Sequence, residues 1–247
     1  LGHDQILDYM IVDGLWDVYN DKHMGECAET CASDKKYTRE SQDLFAQESY
    51  SRAQAAQSKG AFQNEIVPLV IDQKKGDSIT IIKDEDPDKA NFEKMKLLKP
   101  VFKENGTITA ANASKINDGA AALLLMTRDK AKEIGLEVMA TIISQSSSAH
   151  DPEWFTTAPI GAISKILDKV SLEPHSIDLW EINEAFAVVP MAVIDKFNLN
   201  HNIVNVNGGA IAMGHPIGAS GARILTTCLL YTSDAADEGL GVDLGGR

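Results

Sequence analysis

The chain has 247 residues, 44% apolar and 24% charged, with a formal net charge of -13. That is the composition of an ordinary globular protein, long enough for one large domain or two modest ones. So acidic a chain makes a poor general binder of nucleic acid, because neutralising phosphates needs an excess of Lys and Arg.

No uninterrupted apolar run approaches the roughly 20 residues of a membrane helix. Behind Leu1 there is no basic stretch followed by an apolar one, so no signal peptide is read. Cys27, Cys31 and Cys228 are too few for a disulfide framework. Cys27 and Cys31 lie four apart with no His or second Cys pair at metal spacing, so they read as reduced thiols rather than a zinc half-site.

In chain order, the first predicted element is a helix over 38–58. Thr38 suits its N-cap, Glu40 its first turn and Gly60 its stop, while Phe45, Ser49, Ala53 and Ala56 give it a small-residue face. EIVPLVI (65–71) and SITIIK (78–83) predict two strands around a Lys74-Lys75-Gly76 turn. The stretch 84–100 is charged and irregular: a solvated loop, or a local cluster of lysines facing an anionic ligand. The apolar run Ala120–Met126 predicts a strand buried on both faces, and 138–144 another. Pro159 opens a predicted helix with Ile160, Ile163, Leu167 and Val170 at helical spacing. A strand over 177–182, a helix over most of 185–197 and a strand over 202–206 follow. This alternation implies an α/β layered fold.

Two stretches carry candidate chemistry. In NEAFA (183–187), Asn183 and Glu184 fall at the carboxyl end of a predicted strand, where α/β folds place ligands. Asn183 either caps the following helix or turns its amide to a water or carbonyl oxygen. In NVNGGAIAMGHPIGASGAR (205–223), His215 is flanked by Gly214 and Pro216, and Ser220 starts a helix. The run fits neither GxGxxG nor GxxxxGK[ST], so it is not read as a phosphate loop. His215 is either a structural imidazole or an aimed base in small-residue surroundings.

Taken together with HMGECAE (23–29) and ENGTITAANASKINDGAAALLLM (104–126), these stretches resemble the thiolase family, in family order and spacing over residues 1 to 227. The resemblance implies an α/β fold, the thiolase α-β-α-β-α layered sandwich, incomplete here. It implies an inserted loop domain at 1–105, the end of the N-terminal half at 106–135 and a truncated C-terminal half at 136–227. It further implies an acyltransferase that joins two acetyl-CoA into acetoacetyl-CoA, or reverses that step, through an acyl-cysteine. His215 corresponds to the imidazole that activates the cysteine, and Asn183 to the asparagine that holds an oxyanion-hole water. His23 and Met24 correspond to positions at the short acyl-pantetheine end, as in the short-chain branch. Lys94, and with it Lys89 and Asn91, corresponds to contacts with the CoA nucleotide, and Ser114 to a pantetheine contact. Tyr50 corresponds to a substrate-side position and, with Ala110, Ala111, Ala113 and Ile211, to a potassium site of some animal members.

The resemblance leaves open a broader 3-ketoacyl-CoA thiolase, or a non-catalytic CoA-binding fragment. A nucleotide-dependent oxidoreductase is disfavoured by the missing fingerprint. The family implies a homodimer or homotetramer and a mitochondrial or cytoplasmic setting. Neither Cys27 nor Cys31 matches a nucleophile motif, so both reactive thiols are expected outside this sequence and the fragment is expected to be inactive. CLLYTSDAADE (228–238) resembles a translated sequencing adapter and GVDLGGR (241–247) its flow-cell end. Residues 228–247 are therefore expected to be read-through, not native.

Overall fold

The computed structural model describes residues 2–237. Its α-helices are α1 (Tyr9–Gly14), α2 (Met24–Lys35), α3 (Arg39–Lys59), α4 (Phe92–Met95), α5 (Arg128–Glu133), α6 (Ala158–Val170), α7 (Val188–Phe197), α8 (Ala210–Met213) and α9 (Ser220–Asp237). Strand β1 (Trp16–Asp17) pairs antiparallel with β2 (Lys22–His23), and β3 (Leu69–Ile71) with β4 (Ile79–Ile81).

Helix α3 forms as its local signals dictate. The Thr38 hydroxyl accepts from the Ser41 amide at 3.1 Å, and Gly60, at φ +74°, ends the helix in the left-handed region. Its buried face of Phe45, Ala46, Tyr50 and Ala53 packs on Met95, Ala111, Ala187, Ile211 and Ala212. A face this small lets the glycine loop before α8 come close. A Cβ on Gly208, at φ +78°, would lie 2.5 Å from the Ser49 carbonyl oxygen. A second cluster joins Ala28, Cys31 and Ala32 of α2 to Ile108, Ala113, Phe186, Val188 and Val189. A third, of Ile182, Val193 and Val204, is covered by Ile160 and Ile163 of α6.

Buried polar groups pin the segment 107–113 between α2 and α3. The Glu29 carboxylate, 5% exposed, accepts from the Thr107 amide at 2.7 and 2.9 Å, the Ile108 amide at 2.7 Å and the Thr107 hydroxyl at 3.0 Å. The Asn112 side chain donates to Asp43 at 2.9 Å and accepts from the Thr109 amide at 2.8 Å. Asp43 is itself paired with Arg39 at 2.7 Å. Beyond this anchor the chain runs antiparallel to 185–187. The Ser114 amide donates to the Ala185 carbonyl at 3.0 Å, and the Ala187 amide to the Asn112 carbonyl at 2.9 Å. Two stretches some seventy residues apart are thereby held side by side.

Several predicted elements take another form. Ala120–Met126 is not a doubly buried strand: Leu124 is 78% exposed, and neither this run nor 138–144 pairs with a strand among the described residues. A strand is made by its neighbours, so an apolar run without one stays irregular. The strands predicted at 177–182 and 202–206 reduce to one parallel bridge, Trp180 with Val204. Asn205, at φ +49°, turns the backbone away there, and its side-chain amide takes over the ladder. Its Oδ1 accepts from the Ile182 amide and its Nδ2 donates to the Ile182 carbonyl, each at 2.8 Å. The stretch 84–100 is less solvated than its charge suggests, because Pro87 and Met95 are buried. Helix α9 continues without a break past Cys228 to Asp237. Once nucleated, a helix propagates readily where no Gly or Pro intervenes. The rest of the adapter-like stretch lies outside the described residues.

Replacing Glu29 by Ala orphans three donors at once, the buried Ile108 amide and the half-buried Thr107 amide and hydroxyl. Urea denaturation is expected to show a loss of about 3 kcal/mol, and an unchanged midpoint would rule out this carboxylate as the anchor of 107–113.

Candidate active site

The carboxyl end of the Trp180–Val204 bridge delivers NEAFA, and the glycine loop delivers His215. The two meet: the Asn183 Nδ2 lies 3.3 Å from the His215 Nε2. Asn183 is therefore not a helix cap, since α7 begins at Val188 with no side-chain cap at Ala187. On its other side, His215 Nδ1 lies 2.6 Å from the Ser220 Oγ, in the first turn of α9. The His215 amide donates to the Lys115 carbonyl at 2.9 Å. Gly214, at φ +93°, packs where a Cβ would strike Asn117 at 2.3 Å, so only glycine brings the imidazole this close to the 114–117 segment.

The glycine loop is aimed by a buried acid. Glu184, 1% exposed, accepts from the Ser49 hydroxyl at 2.7 Å, Asn205 Nδ2 at 2.8 Å and the Ile211 amide at 3.1 Å. Ser49 in turn accepts from the Gly209 amide at 3.0 Å. Burial pushes the Glu184 carboxyl up, against the pull of its hydrogen-bond donors. A Cβ on Gly209 would lie 2.2 Å from that carboxyl carbon.

The electrostatics favour a neutral imidazole. Burial, and then the nearby Arg223 guanidinium, hold His215 below its ordinary 6.5. Asn183 Oδ1 is buried without a hydrogen-bond partner. A buried acceptor left unpaired is costly, and an amide oxygen in a polar site readily takes a water or a ligand donor.

The remaining expected positions divide. Ser114 is in place beside NEAFA, with its hydroxyl donating to the Ala185 carbonyl at 2.8 Å. His23 is half-buried: its Nδ1 caps α2 by accepting from the Gly25 amide at 2.9 Å, and its ring stacks on Phe102 at 4.8 Å. Met24 packs with Phe102 against the cluster that contains Phe186. Lys94 is exposed and in none of the ion pairs among the described residues, whereas Lys89 is paired with Glu85 at 2.7 Å and Asp86 at 3.6 Å. Asn91 caps α4 through the Lys94 amide.

The potassium set fits poorly. Tyr50, Ala111 and Ile211 share one buried cluster, but Ala113 belongs to another and Ala110 is exposed. The Lys115 ammonium already stands 5.6 Å from the Tyr50 ring centroid and 3.3 Å from Asp86, so a positive charge faces that ring from within the chain. Burial, with Asp86 and Glu184 nearby, pushes the Tyr50 phenol up to about 12.

Residues that sequence reasoning passed over are Glu184 as a strut, Ser49, Asn205, Lys115 and Ser220. For Ser220 a signal existed: it lies four residues after Pro216, one helical turn, and five after His215.

With this geometry in view, the comparisons with known proteins are specific. The model of the thiolase N-terminal domain matches residues 1–129, and that of the thiolase C-terminal domain residues 136–243. The chain is 51% identical over 230 residues to acetyl-CoA acetyltransferase 2 of Arabidopsis thaliana, covering 92% of this chain and 57% of that one. It is 50% identical to an acetyl-CoA acetyltransferase of Cupriavidus necator, covering 93% and 58%. Among solved structures, the Bacillus anthracis acetyl-CoA acetyltransferase matches with a TM-score of 0.90 at 39% identity, over 97% of this chain and 60% of that one. Acat5 thiolase from Ascaris suum, in complex with coenzyme A, matches with a TM-score of 0.85 at 39% identity, over 93% and 59%. The chain belongs to the thiolase family, and its fold is the α/β fold of that family. It spans about three-fifths of the length of these relatives.

By NMR, the His215 ring is expected to titrate below 6.5, neutral at pH 7, and to shift upward when Arg223 is replaced by Gln. A midpoint at or above 6.5 would contradict the downward shift.

Proposed function

We propose that this chain supplies the base and the oxyanion donors of a thiolase that joins two acetyl-CoA into acetoacetyl-CoA, or reverses that step, through an acyl-cysteine. The observation that carries the reading is the His215–Asn183 pair: a neutral imidazole with Nε2 turned to the site, beside a buried amide oxygen that lacks a partner.

The chemistry follows from the groups. A thiol attacks only as thiolate, so its proton goes to the His215 Nε2. The thiolate adds to the thioester carbonyl carbon, and negative charge develops on the carbonyl oxygen. The imidazolium Nε2–H is then one donor to that oxygen. A water donating one hydrogen to Asn183 Oδ1 directs its other hydrogen there as the second donor. Collapse of the adduct expels the CoA sulfur, which takes up the proton held on His215 Nε2, and leaves an acyl-cysteine and a neutral imidazole. Joining a second acetyl group needs a base at its α-carbon, the work of a second cysteine in this family.

The nucleophile is neither Cys27 nor Cys31. Both thiols are buried in α2, and burial pushes each up, away from thiolate. We place both reactive cysteines in the part of the relatives' length that this stretch does not span. Residues 1–105 then act as the loop domain, 106–135 as the end of the first half and 136–227 as the second. The read-through reading of 228–247 is checked by a genomic exon encoding it, which would overturn it. The relatives named acetyl-CoA acetyltransferase, and the His23–Met24 wall on Phe102, support a short acyl group. The solved relative with coenzyme A supports CoA as the carrier. We expect a homodimer or homotetramer, as in the family.

Calorimetric titration of the 247-residue protein with CoA is expected to show binding, and its assay with acetoacetyl-CoA no thiolysis; turnover would overturn the cysteine placement. In a longer protein carrying both cysteines, His215→Ala and Asn183→Ala are each expected to lower kcat/KM on acetoacetyl-CoA by roughly 10²–10³-fold. Full activity in either variant would reject the assigned roles. Comparable turnover of medium-chain 3-ketoacyl-CoA would move the substrate class to the broader thiolases. Exchanging KCl for NaCl at equal ionic strength is expected to leave thermal stability unchanged, because Lys115 already faces Tyr50; stabilisation specific to potassium would restore the cation reading.

A further inference from the structure

The reading above makes the His215 Nε2 the atom that takes a proton. A neutral ring carries one proton, either nitrogen can hold it, and the hydrogen bonds around the ring decide which. We propose that Ser220 is a positioning residue that makes this choice, by locking the proton of neutral His215 on Nδ1. The proposal deepens the base assignment and rests on it for its catalytic meaning.

The Ser220 hydroxyl lies 3.1 Å from the Pro216 carbonyl oxygen, one helical turn back, the usual acceptor for a serine in the first turn of a helix, and it shares that oxygen with the Ala219 and Ser220 amides at 2.8 Å each. A hydroxyl has a single proton, and with that proton on Pro216 its oxygen can only accept. His215 Nδ1, 2.6 Å away, must then be the donor. Nε2 is left with its lone pair, and its neighbour Asn183 Nδ2, at 3.3 Å, can only donate. Every contact in the series Pro216–Ser220–His215–Asn183 is satisfied in that sense. The opposite tautomer would place Nε2–H against a donor.

The backbone makes the lock stiff. His215 is held at its own amide by Lys115, and Ser220 is held at its amide by Pro216 at 2.8 Å. Pro216 fixes the peptide between them and leaves no amide donor to compete for its neighbours. The ring and its acceptor therefore belong to one short loop closed onto the start of α9. A proton arriving from a thiol has one place to go, Nε2. The imidazolium then keeps Nδ1–H on Ser220, and its Nε2–H passes to the oxyanion in place of the Asn183 amide, which can no longer donate to that nitrogen.

The test reads the tautomer directly and needs neither CoA nor turnover. In the 247-residue protein with 15N-labelled histidine rings, two-bond 1H–15N correlations at neutral pH distinguish Nδ1–H from Nε2–H. The His215 signals are identified by their loss in His215→Asn. The native protein is expected to show Nδ1–H in at least roughly tenfold excess, the preference one net hydrogen bond confers. Ser220→Ala is expected to abolish that excess, and Ser220→Thr, which keeps the hydroxyl, to retain it. Circular dichroism checks that each variant is folded. Nε2–H in the native protein would overturn the proposal by itself, even where Ser220→Ala fails to fold. An unchanged tautomer in folded Ser220→Ala would overturn it as well. Failure of the thiolase reading appears elsewhere, as absence of CoA binding with the tautomer intact.

Discussion

The buried carboxylate of Glu184 is the constraint on which the site depends. It has no cation within pairing distance among the described residues, and it is held instead by a hydroxyl from α3, an amide from Asn205 and the backbone of Ile211. Removing a charge from water is expensive, and three donors offset that cost only if all three stay in place. The strand end, the long helix and the glycine loop are thus made to agree on one arrangement. Asn183 precedes this acid by one residue, and His215 follows Ile211 by four. The two chemical groups inherit their separation from a neighbour that touches neither reacting atom.

The same logic explains the composition of the loop. Gly209 leaves the space the acid fills, and Gly208 lets the backbone pass α3 at Ser49. Gly214 gives the ring its approach to the 114–117 segment. These glycines are packing decisions around a carboxylate and an imidazole, and a phosphate has no part in them. Ser114, expected as a ligand contact, uses its hydroxyl to hold the strand beside NEAFA. The 107–114 segment therefore acts first as a mount, pinned at one end by Glu29 and at the other by Ala185.

How legible all this was depended on how local each cause is. Helix α3 could be read almost to the residue because its cap, Thr38, and its stop, Gly60, are neighbours in sequence. The apolar runs at 120–126 and 138–144 misled because strand membership depends on a partner elsewhere, and a hydrophobic run looks the same with or without one. The bridge at Trp180 and Val204 fell short of two strands because one asparagine side chain imitates backbone, which no period reveals. His215 and Asn183 were legible through the motifs that carry them. Glu184 was not, because a buried acid has the letters of an ordinary surface residue, and Ser220 showed only its one-turn spacing from Pro216. Only the donors around them show what they do.

The turn that opens the glycine loop has a consequence for the lifetime of the protein. Asn207-Gly208 is the kind of pair in which a backbone nitrogen attacks the preceding side-chain amide and converts it to an acid. Here the Gly208 amide donates to the Asn205 carbonyl at 2.9 Å, and the backbone around it is fixed against α3. The nitrogen that would attack is engaged and cannot swing toward Asn207. The contacts that aim the imidazole thus also slow the chemical ageing of the loop that carries it.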